Sequence, residues 1–231
     1  LEEERLKEKL RANEAQLQYY QLQTDPHFYL NCLNTISTLL QNEKKEVAND
    51  MIIALSGHFR YMFRKSRSLV LLKEELEEVQ DYCRIYNIRN GIPLLVDMDV
   101  SKSEMLCKVP ILCIQTFVEN AIKYYGKNGQ MLQVRIQIRR IKKEDKKEFL
   151  KIRITDNGVG YTKENLDEFN KPVDKFVYKS SHVGIDNLKY RFKLIFENEA
   201  DIYFYNAPYS GAVVEMTIPV KEDDSDENIN N

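Results

Sequence analysis

The chain has 231 residues, of which 43% are hydrophobic and 30% charged, and its formal net charge is −2 at pH 7. This balance is typical of a globular protein with a core of ordinary size, and it gives no electrostatic reason to expect nucleic acid as a partner. The longest apolar run, around 109–118, is too short to span a bilayer, so we expect no direct membrane contact in this fragment.

The first 24 residues predict a helix. They are rich in Gln, Glu, Lys and Leu and contain neither Gly nor Pro, a composition that favours helix. Apolar residues recur at heptad-compatible positions, which indicates a short coiled coil with Leu6, Leu10, Leu17 and Tyr20 on its seam. Because the chain begins with Leu1 rather than Met, we expect it to be a fragment of a longer protein.

Pro26 interrupts this helix, and the segment that follows is amphipathic. Its apolar stripe consists of Leu22, Tyr29, Leu33, Ile36 and Leu40. On roughly the opposite side, at about 100° per residue, lies a polar stripe formed by His27, Asn31, Asn34 and Thr38. A lone histidine is most often a core residue, but this placement predicts that His27 faces solvent. An ordinary exposed histidine and a functional one both fit the pattern.

A second amphipathic helix is expected over about 46–65, with Val47, Met51, Leu55, Phe59 and Phe63 at i+4 spacing. Two such helices joined by the polar stretch QNEKKE predict an αα-hairpin. One hairpin buries little apolar surface by itself, so pairing with a second copy into a four-helix bundle is its natural completion. This part of the chain therefore predicts a homodimer.

From Ser68 onward the pattern changes to mixed helices and strands. Helices are expected at KEELEEVQDYCRIYNIR, 110–125 and 184–198, and strands at LVLL, IPLLVDMDV, 131–141, 148–155, DIYFYN and AVVEMTIPV. Closely spaced strands predict a mostly antiparallel sheet, and the whole predicts an α+β sandwich with one helical layer on one sheet. Residues 222–231 carry five acidic groups and no basic one, which predicts a disordered acidic tail.

The apolar helix expected at 109–126 carries a cluster of polar residues. Glu119, Asn120 and Lys123 fall within little more than one turn, and a buried polar group needs a partner or a ligand. The amide oxygen of Asn120 suits Mg²⁺, which binds hard oxygen ligands and usually keeps substrate phosphates among them. Lys123 offers a positive charge to a phosphate or else extends to solvent. A surface amide satisfied by a neighbour is the alternative for Asn120.

Asp156, Gly158 and Gly160 form a second cluster, in the sequence DNGVG directly after an alternating strand. Two glycines let the backbone turn sharply and approach a ligand without an intervening Cβ atom. An ionised Asp at a strand end can accept a hydrogen bond from an exocyclic amine such as that of adenine. The same sequence also occurs as a simple Asx-type turn after a strand, so the motif alone leaves both interpretations open.

The segments that contain His27, Asn120 and Asp156, in this chain order, resemble those of a sensor histidine kinase of the LytS/YesM type, and the resemblance covers about residues 17–220. The sequence DPHFYLNCLN at 25–34 is similar to that family's phosphoacceptor box, NPHFLFNxLN. Two further similarities lie in the helices that follow: Leu55-Ser56 with Arg60-Tyr61 forms one motif, and Leu72 with Glu75-Leu76, Tyr82 and Arg89 forms the other. Three more lie in the second half of the chain. They are the N box at 110–123, the first glycine box at Asp156, Gly158 and Gly160, and the second glycine box at Gly184-Ile185 with Asn187 and Arg191.

The resemblance implies a dimerising, phosphotransferring helical hairpin at 1–67 and a Bergerat-type ATP-binding domain of the GHKL class at 68–221. It implies that His27 accepts the γ-phosphoryl group of ATP and passes it to an Asp on the receiver domain of a response regulator. Asn120 would then hold Mg²⁺ and Asp156 the adenine amine. The remaining nucleotide-binding residues would be Lys123, Gly158, Gly160, Gly184 and Asn187. The family also implies the cytoplasmic domain of a bacterial inner-membrane sensor.

Two alternatives to an active histidine kinase stay open, and the first depends on departures from the family pattern. Tyr124-Tyr125-Gly126 stands where the N box has His-Gly, and His182 replaces the first glycine of the second glycine box. The resemblance implies that 161–183 forms the lid over ATP. Because the second change falls on this lid, one alternative is an ATP-binding pseudokinase, a dimeric signalling scaffold with little or no autokinase activity. The other, which does not depend on these departures, is a GHKL ATPase of the chaperone or gyrase kind. Such an enzyme places a water-activating Glu where this chain has Thr116, which argues for transfer to a side chain over hydrolysis. We interpret His58 and His182 as structural or lid residues.

Overall fold

Helices precede a mixed α/β region in the computed structural model, which describes residues 26–62, 68–91, 93–125, 131–143, 146–172, 183–197 and 199–220. The expected coiled coil at 1–24, residues 173–182 of the expected lid and the acidic tail lie outside the described residues. The chain divides into two units: one runs to Ser68 and includes 81–91, and the other comprises 69–80 and the described residues from 93 onward.

The helical unit begins with α1 (Pro26–Gln41) and α2 (Lys45–Met62), so the expected hairpin is confirmed. Proline is tolerated as the first helical residue because its missing N–H has no partner at that position. The expected apolar stripe of α1 was partly wrong, since Leu33 and Leu40 are 57% and 49% exposed. The inward positions belong instead to a core formed by Cys32, Ile36, Met51, Ala54, Leu55 and Ile85.

Helix α3 (Leu72–Asn90) follows the short strand β1 (Leu69–Leu71) and contributes residues to both units. Its first half buries Leu76 and Val79 in the α/β unit, and its second half supplies Ile85 to the hairpin core. The helix ends at Gly91, whose φ of +64° and N–H bond to the Asn87 carbonyl form a glycine C-cap.

Five strands form the main sheet in the order β2-β4-β5-β7-β6. Their bounds are β2 Leu95–Asp99, β4 Gln133–Lys142, β5 Glu148–Asp156, β6 Asp201–Asn206 and β7 Ala212–Pro219. The pairings are antiparallel except that of β2 with β4, which is parallel. Strand β3 (Lys108–Pro110) pairs with β1 in a separate sheet. With helices α4 (Gln115–Tyr124), α5 (Lys163–Phe169) and α6 (Val183–Phe196), this confirms the expected α+β class.

The β4–β5 hairpin follows directly from its alternating sequence. Ile136 pairs with Ile154 and Ile138 with Ile152, and all four side chains are buried. The residues between them are polar and face the other side of the sheet, as strand geometry requires. The buried side meets the helical layer, where the ring centroids of Phe117 on α4 and Phe204 on β6 lie 5.8 Å apart.

The helix expected at 109–126 was too long. Residues 108–110 form β3, residues 111–114 form a turn, and α4 begins only at Gln115. Within the turn, Leu112 has a left-handed backbone with φ +60°. The N–H groups of Leu112, Ile114 and Gln115 donate to the side chain of Glu75. A contact with a distant part of the chain therefore sets the start of this helix, and local propensity could not reveal it.

Helix α5 was not expected, because its sequence fell in the stretch assigned to the lid. Its first turn is capped by Thr162, whose hydroxyl oxygen accepts from the N–H of Asn165 at 3.2 Å. Threonine is a favourable N-cap residue, so the capping signal was present in the sequence but was overlooked.

Candidate functional site

Asp156 lies at the end of β5, the central strand of the main sheet. Its Oδ1 accepts hydrogen bonds from the N–H of Gly158, at 2.8 Å, and from the N–H of Ala212, at 3.1 Å. Both bonds end on Oδ1, which leaves Oδ2 for a donor from a ligand. Burial raises the pKa of this carboxyl group above its usual 3.8, and the two N–H groups act in the opposite direction. The backbone thus orients a half-buried acceptor.

Two glycines allow close approach of backbone segments around this carboxylate. Gly211 has φ +100°, and a Cβ atom there would lie 1.8 Å from the carbonyl oxygen of Asp156. Gly160 has φ +81°, and a Cβ atom there would lie 2.8 Å from Oδ1 of Asn206. Glycine alone suits the left-handed backbone and the crowding at both positions. At Gly158 an added Cβ would meet Oδ1 of Asp156 at 3.0 Å.

Side chains at the β6–β7 connection hold the loop after Asp156 in place. The Asn206 amide accepts from the N–H of Tyr161 at 2.7 Å and donates to the Tyr161 carbonyl at 2.9 Å. The hydroxyl of Ser210 donates to the Gly158 carbonyl at 2.7 Å. Sequence reasoning missed Asn206 and Ser210, because only the pairing of β5 with β7 brings them to this loop. The one available signal was a polar residue at the end of a strand.

Asn120 is half-buried on α4, next to residues such as Val118 and Ala121 that are buried. Its Nδ2 atom is buried and has no hydrogen-bond partner among the described residues. A buried amide without a partner costs free energy unless a ligand satisfies it. Because rotation of an amide can present either its nitrogen or its oxygen, this side chain fits an oxygen ligand for a cation.

Both ends of α4 contact glycine segments predicted for the pocket. At the C-terminal end, a Cβ atom on Gly158 would lie 3.9 Å from Cα of Tyr125. At the N-terminal end, a Cβ atom on Gly184 would lie 3.6 Å from Cγ2 of Thr116. Asn120 lies one turn beyond Thr116 on the same face of the helix. The structure therefore brings Asn120, the first glycine box and the start of α6 into one region.

Lys123 and Asn187, which the resemblance also assigns to the nucleotide, have different surroundings. Lys123 is exposed, and its Nζ lies 5.3 Å from the centre of the Tyr124 ring, whose face attracts a cation. Asn187 is 7% exposed on α6, one turn after Gly184. An exposed lysine can turn toward a phosphate, whereas packing fixes Asn187 within the helical layer.

The helical unit presents His27 to solvent. His27 is the second residue of α1 and is exposed, as are Asn31, Asn34 and Thr38. The expected polar stripe is therefore confirmed. The hydroxyl of Thr38 donates to the Asn34 carbonyl at 2.9 Å. An exposed imidazole at a helix start is accessible to a phosphoryl donor and, afterwards, to an acceptor.

Aromatic side chains anchor this first turn of α1. Phe28 stacks on Tyr82 of α3, with ring centroids 5.4 Å apart, and the Arg89 guanidinium lies 5.4 Å from the centre of the Phe28 ring. The Tyr29 hydroxyl lies 3.1 Å from Nε2 of His58, which is 2% exposed. The burial of His58 agrees with its interpretation as a structural residue.

Comparison with protein families accounts for both parts of the chain. A family model described as histidine kinase matches residues 15–94. A second, described as histidine kinase-, DNA gyrase B-, and HSP90-like ATPase, matches residues 110–222. The chain belongs to the histidine kinases. His27 falls within the first match, and both Asn120 and Asp156 fall within the second.

Curated relatives of this histidine kinase chain are longer proteins. Sensor protein LytS of Staphylococcus saprophyticus is 31% identical over 209 residues, which cover 89% of this chain and 34% of the relative. Sensor protein LytS of Enterococcus faecalis is 29% identical over 94% of this chain and 36% of its own length. An uncharacterized sensor-like histidine kinase of Staphylococcus epidermidis is 29% identical over 91% of this chain and 40% of its own length. The chain thus spans 34–40% of these relatives.

Solved structures of histidine kinases also resemble the chain. Acinetobacter baumannii histidine kinase AdeS matches 93% of this chain and 98% of its own, with 16% identity and a TM-score of 0.47. The catalytic domain of histidine kinase ThkA matches 65% of this chain and 95% of its own, with 18% identity and a TM-score of 0.47. Within the described ranges, no helix combines the length and the hydropathy needed to cross a membrane.

Proposed function

We propose that this chain is the kinase portion of a two-component sensor, which transfers the γ-phosphoryl group of ATP to His27 and then to an Asp on the receiver domain of a response regulator. The observation that carries the proposal is the arrangement at Asp156, where two backbone N–H groups orient the carboxylate at the end of a strand. This carboxylate lies beside the helix that bears Asn120, whose buried Nδ2 has no hydrogen-bond partner among the described residues. The family match over 110–222 supports ATP as the nucleotide.

In this proposal Asp156 recognises the base. Its Oδ1 is already occupied by backbone donors, so Oδ2 accepts the exocyclic amine of adenine. Gly158 and Gly160 let the backbone lie close to the nucleotide because no Cβ intervenes. The hydrogen bonds of Asn206 and Ser210 keep this loop in position before the nucleotide arrives, which lowers the entropy cost of binding.

Asn120 and Lys123 are the proposed ligands at the phosphate end of ATP. Asn120 would ligate Mg²⁺ through its amide oxygen, which agrees with the missing hydrogen bond at its buried Nδ2. When bound, Mg²⁺ neutralises charge on the β- and γ-phosphates. Lys123 adds a mobile positive charge at the C-terminal end of the same helix. Gly184 and Asn187 line the opposite side, on α6.

His27 is the phosphoacceptor. An imidazole nitrogen forms a bond to the γ-phosphorus while the bond from that phosphorus to the bridging oxygen breaks, so that ADP leaves and the ring proton passes to solvent. Exposure of His27 suits both this step and the later transfer to a carboxylate. Such transfers depend on positioning and charge neutralisation more than on reactive protein groups, which agrees with the few titratable residues among the proposed ATP ligands.

Hydrolysis of ATP is less well supported. A GHKL ATPase would need a carboxylate base at residue 116, but the chain has Thr116, whose hydroxyl donates to the Leu112 carbonyl at 2.6 Å. That hydroxyl is engaged within the helix and is a poor base. The pseudokinase alternative depends on the altered second glycine box at 182–185, part of which lies outside the described residues.

A homodimer is the proposed assembly. Helix α1 exposes Leu30, Leu33 and Leu40, between the buried stripe and the polar stripe that carries His27, and α2 exposes Ile52 and Ile53. Apolar helix faces of this kind are normally covered. A second hairpin of the same chain would cover them as a four-helix bundle. The proposed setting is the cytoplasmic domain of a bacterial inner-membrane sensor, and the names of the relatives support the sensor part of this proposal.

The reaction class is tested by incubating the chain with Mg²⁺ and ATP labelled at either the α- or the γ-phosphorus. Label transferred to protein only from the γ-position, stable to base and labile to acid, is expected for a phosphohistidine. Release of inorganic phosphate without labelled protein would indicate an ATPase. Measurable ATP binding with neither product would indicate the pseudokinase.

A further inference from the structure

We propose that Glu75 is a positioning residue for the ATP site: its buried carboxylate holds the first turn of α4 and thereby sets the place of Asn120. The proposal rests on the proposed function of Asn120. Glu75 lies in the first turn of α3, and none of the roles given so far to the nucleotide site includes it.

Three hydrogen bonds to Glu75 converge on the turn before α4. The side chain is 0% exposed. Its Oε2 accepts from the N–H of Leu112 at 2.7 Å, and its Oε1 accepts from the N–H groups of Ile114, at 2.8 Å, and Gln115, at 3.3 Å. One carboxylate thus binds three backbone donors that lie 37 to 40 residues away in the sequence.

Two of these donors, the N–H groups of Ile114 and Gln115, are among those that a helix leaves unsatisfied at its N-terminus, and the third, Leu112, lies in the preceding turn. Ile114, at the N-cap position of α4, has a side chain that cannot accept a hydrogen bond. Glu75 therefore acts as the cap from another helix. A carboxylate at this place is favoured both by charge-assisted hydrogen bonds and by the positive end of the helix dipole.

The turn itself depends on this anion. Leu112 has φ +60°, a conformation that costs a non-glycine residue free energy and persists only where surrounding contacts impose it. On the other side of the turn, Nη2 of Arg191 on α6 donates to the Ile111 carbonyl. Glu75 and Arg191 thus hold the turn through its N–H and C=O groups respectively.

Glu75 and Arg191 are two buried residues of opposite charge that hold the same turn. Arg191 is 4% exposed, and a buried carboxylate is tolerated only where hydrogen bonds and opposite charge offset its desolvation. Burial raises the pKa of the Cys113 thiol, and there the charge of Glu75 acts in the same direction while that of Arg191 opposes it. Both charges therefore act on the same buried turn.

Loss of the Glu75 contacts should affect one part of the proposed ATP site and not the other. Asn120 lies five residues after Gln115 in the same short helix, so a shift of the first turn moves the proposed Mg²⁺ ligand. Asp156 lies on β5 and takes its orientation from Gly158 and Ala212. Loss of Glu75 should therefore weaken the Mg²⁺-dependent part of ATP binding and spare recognition of the base.

The test compares Glu75→Gln with Glu77→Gln in the whole chain. Glu77→Gln is the control. It makes the same chemical change at an exposed position of α3, where Glu77 pairs with Lys73. Calorimetric titrations measure the affinity for ADP without Mg²⁺ and for a non-hydrolysable ATP analogue with Mg²⁺, and circular dichroism checks folding. In Glu75→Gln we expect Mg²⁺–analogue affinity to fall about ten-fold or more. Its ADP affinity, and both affinities of Glu77→Gln, should stay within about twofold of wild type.

Equal losses of both affinities in Glu75→Gln, or no loss of either, would overturn the positioning role. Failure of the wild type to bind the analogue would instead overturn the proposed function of the site. If Glu75→Gln does not fold, Glu75→Asp takes its place, since it keeps the charge but is shorter by one methylene. The same selective loss is expected for it, and equal losses would again contradict the proposal.

Discussion

The carbonyl oxygen of Asp156 lies 1.8 Å from the point where a Cβ atom on Gly211 would be placed. This close approach joins the start of β7 to the end of β5. It also brings the N–H of Ala212 to the carboxylate of Asp156. The proposed binding site for adenine therefore depends on a residue 55 positions after Asp156.

Replacement of Gly211 tests this dependence. We predict that Gly211→Ala lowers the free energy of unfolding by about 3 kcal/mol and abolishes ATP binding, because neither φ +100° nor the contact with Asp156 admits a Cβ atom. Urea unfolding and nucleotide titration measure the two effects. Gly91→Ala is the matched control: its φ is +64°, but an added Cβ meets nothing within 4 Å. It should cost about 1 kcal/mol and leave ATP binding intact.

The raised pKa of Asp156 predicts a pH dependence of ATP affinity. Protonation removes the acceptor for the adenine amine, so affinity should fall as the pH drops through this raised pKa. Asp156→Asn keeps an oxygen for the N–H groups of Gly158 and Ala212 but presents a donor to the base. It should bind about ten-fold or more weakly and lose this pH dependence, as titrations between pH 4 and pH 8 would show. An unchanged pH profile in the variant would contradict the role.

The same carboxyl group predicts how the stability of the nucleotide-free chain changes with pH. Burial raises its pKa in the folded state above the unfolded value near 3.8, so the folded state binds the proton more tightly. The resulting stabilisation is complete below the unfolded pKa and is lost as the pH rises through the folded one. In the window above 3.8, Asp156→Asn should therefore remove a decline in stability with pH, measured by urea unfolding at each pH.

Asn120 should control the effect of Mg²⁺ on binding. We predict that Asn120→Ala reduces the affinity for Mg²⁺–ATP by about ten-fold or more, because the proposed amide ligand is lost. Affinity for ADP without Mg²⁺ should stay close to wild type, since Asp156 is unchanged. The exposed Asn49 on α2 gives a control, and Asn49→Ala should match wild type in both titrations. Equal Mg²⁺ dependence in Asn120→Ala and wild type would exclude the ligand role.

The exposed leucines of α1, Leu30, Leu33 and Leu40, should hold the dimer together. In a two-fold assembly each leucine is buried in both copies, so Leu33→Glu should raise the dissociation constant of the dimer by about 100-fold or more. Thr38→Glu places the same charge on the exposed polar stripe and should leave the dimer intact. Analytical ultracentrifugation distinguishes the two. A monomeric wild type, or equal association of both variants, would contradict the proposed bundle.

Local patterns were enough to predict much of the fold. The alternation in β4 and β5 predicted a hairpin, and the structure pairs its isoleucines on one buried face. The periodicity after Pro26 predicted that His27 is exposed, which the structure confirms. In each case the deciding information lies within a few neighbouring residues. The inward face of α1 was predicted less well, because Cys32 is buried in the core shared with α2 whereas Leu33 is exposed.

Contacts between distant residues could not be predicted in this way. The start of α4 depends on Glu75, some 40 residues earlier in the chain, so the sequence suggested a helix that was too long. Asn206 and Ser210 reach the glycine loop only because β5 and β7 are neighbours in the sheet. Nothing near these residues in the sequence indicates such pairing.

If His27 receives the phosphoryl group, as proposed, its replacement should abolish phosphorylation of the chain. His27→Gln and His182→Gln are each incubated with Mg²⁺ and γ-labelled ATP beside wild type, and peptide mapping locates the label. We expect acid-labile label on the peptide containing His27 in wild type and in His182→Gln, and none in His27→Gln despite unchanged ATP binding. Label retained in His27→Gln, or located on any other peptide, would contradict the proposal.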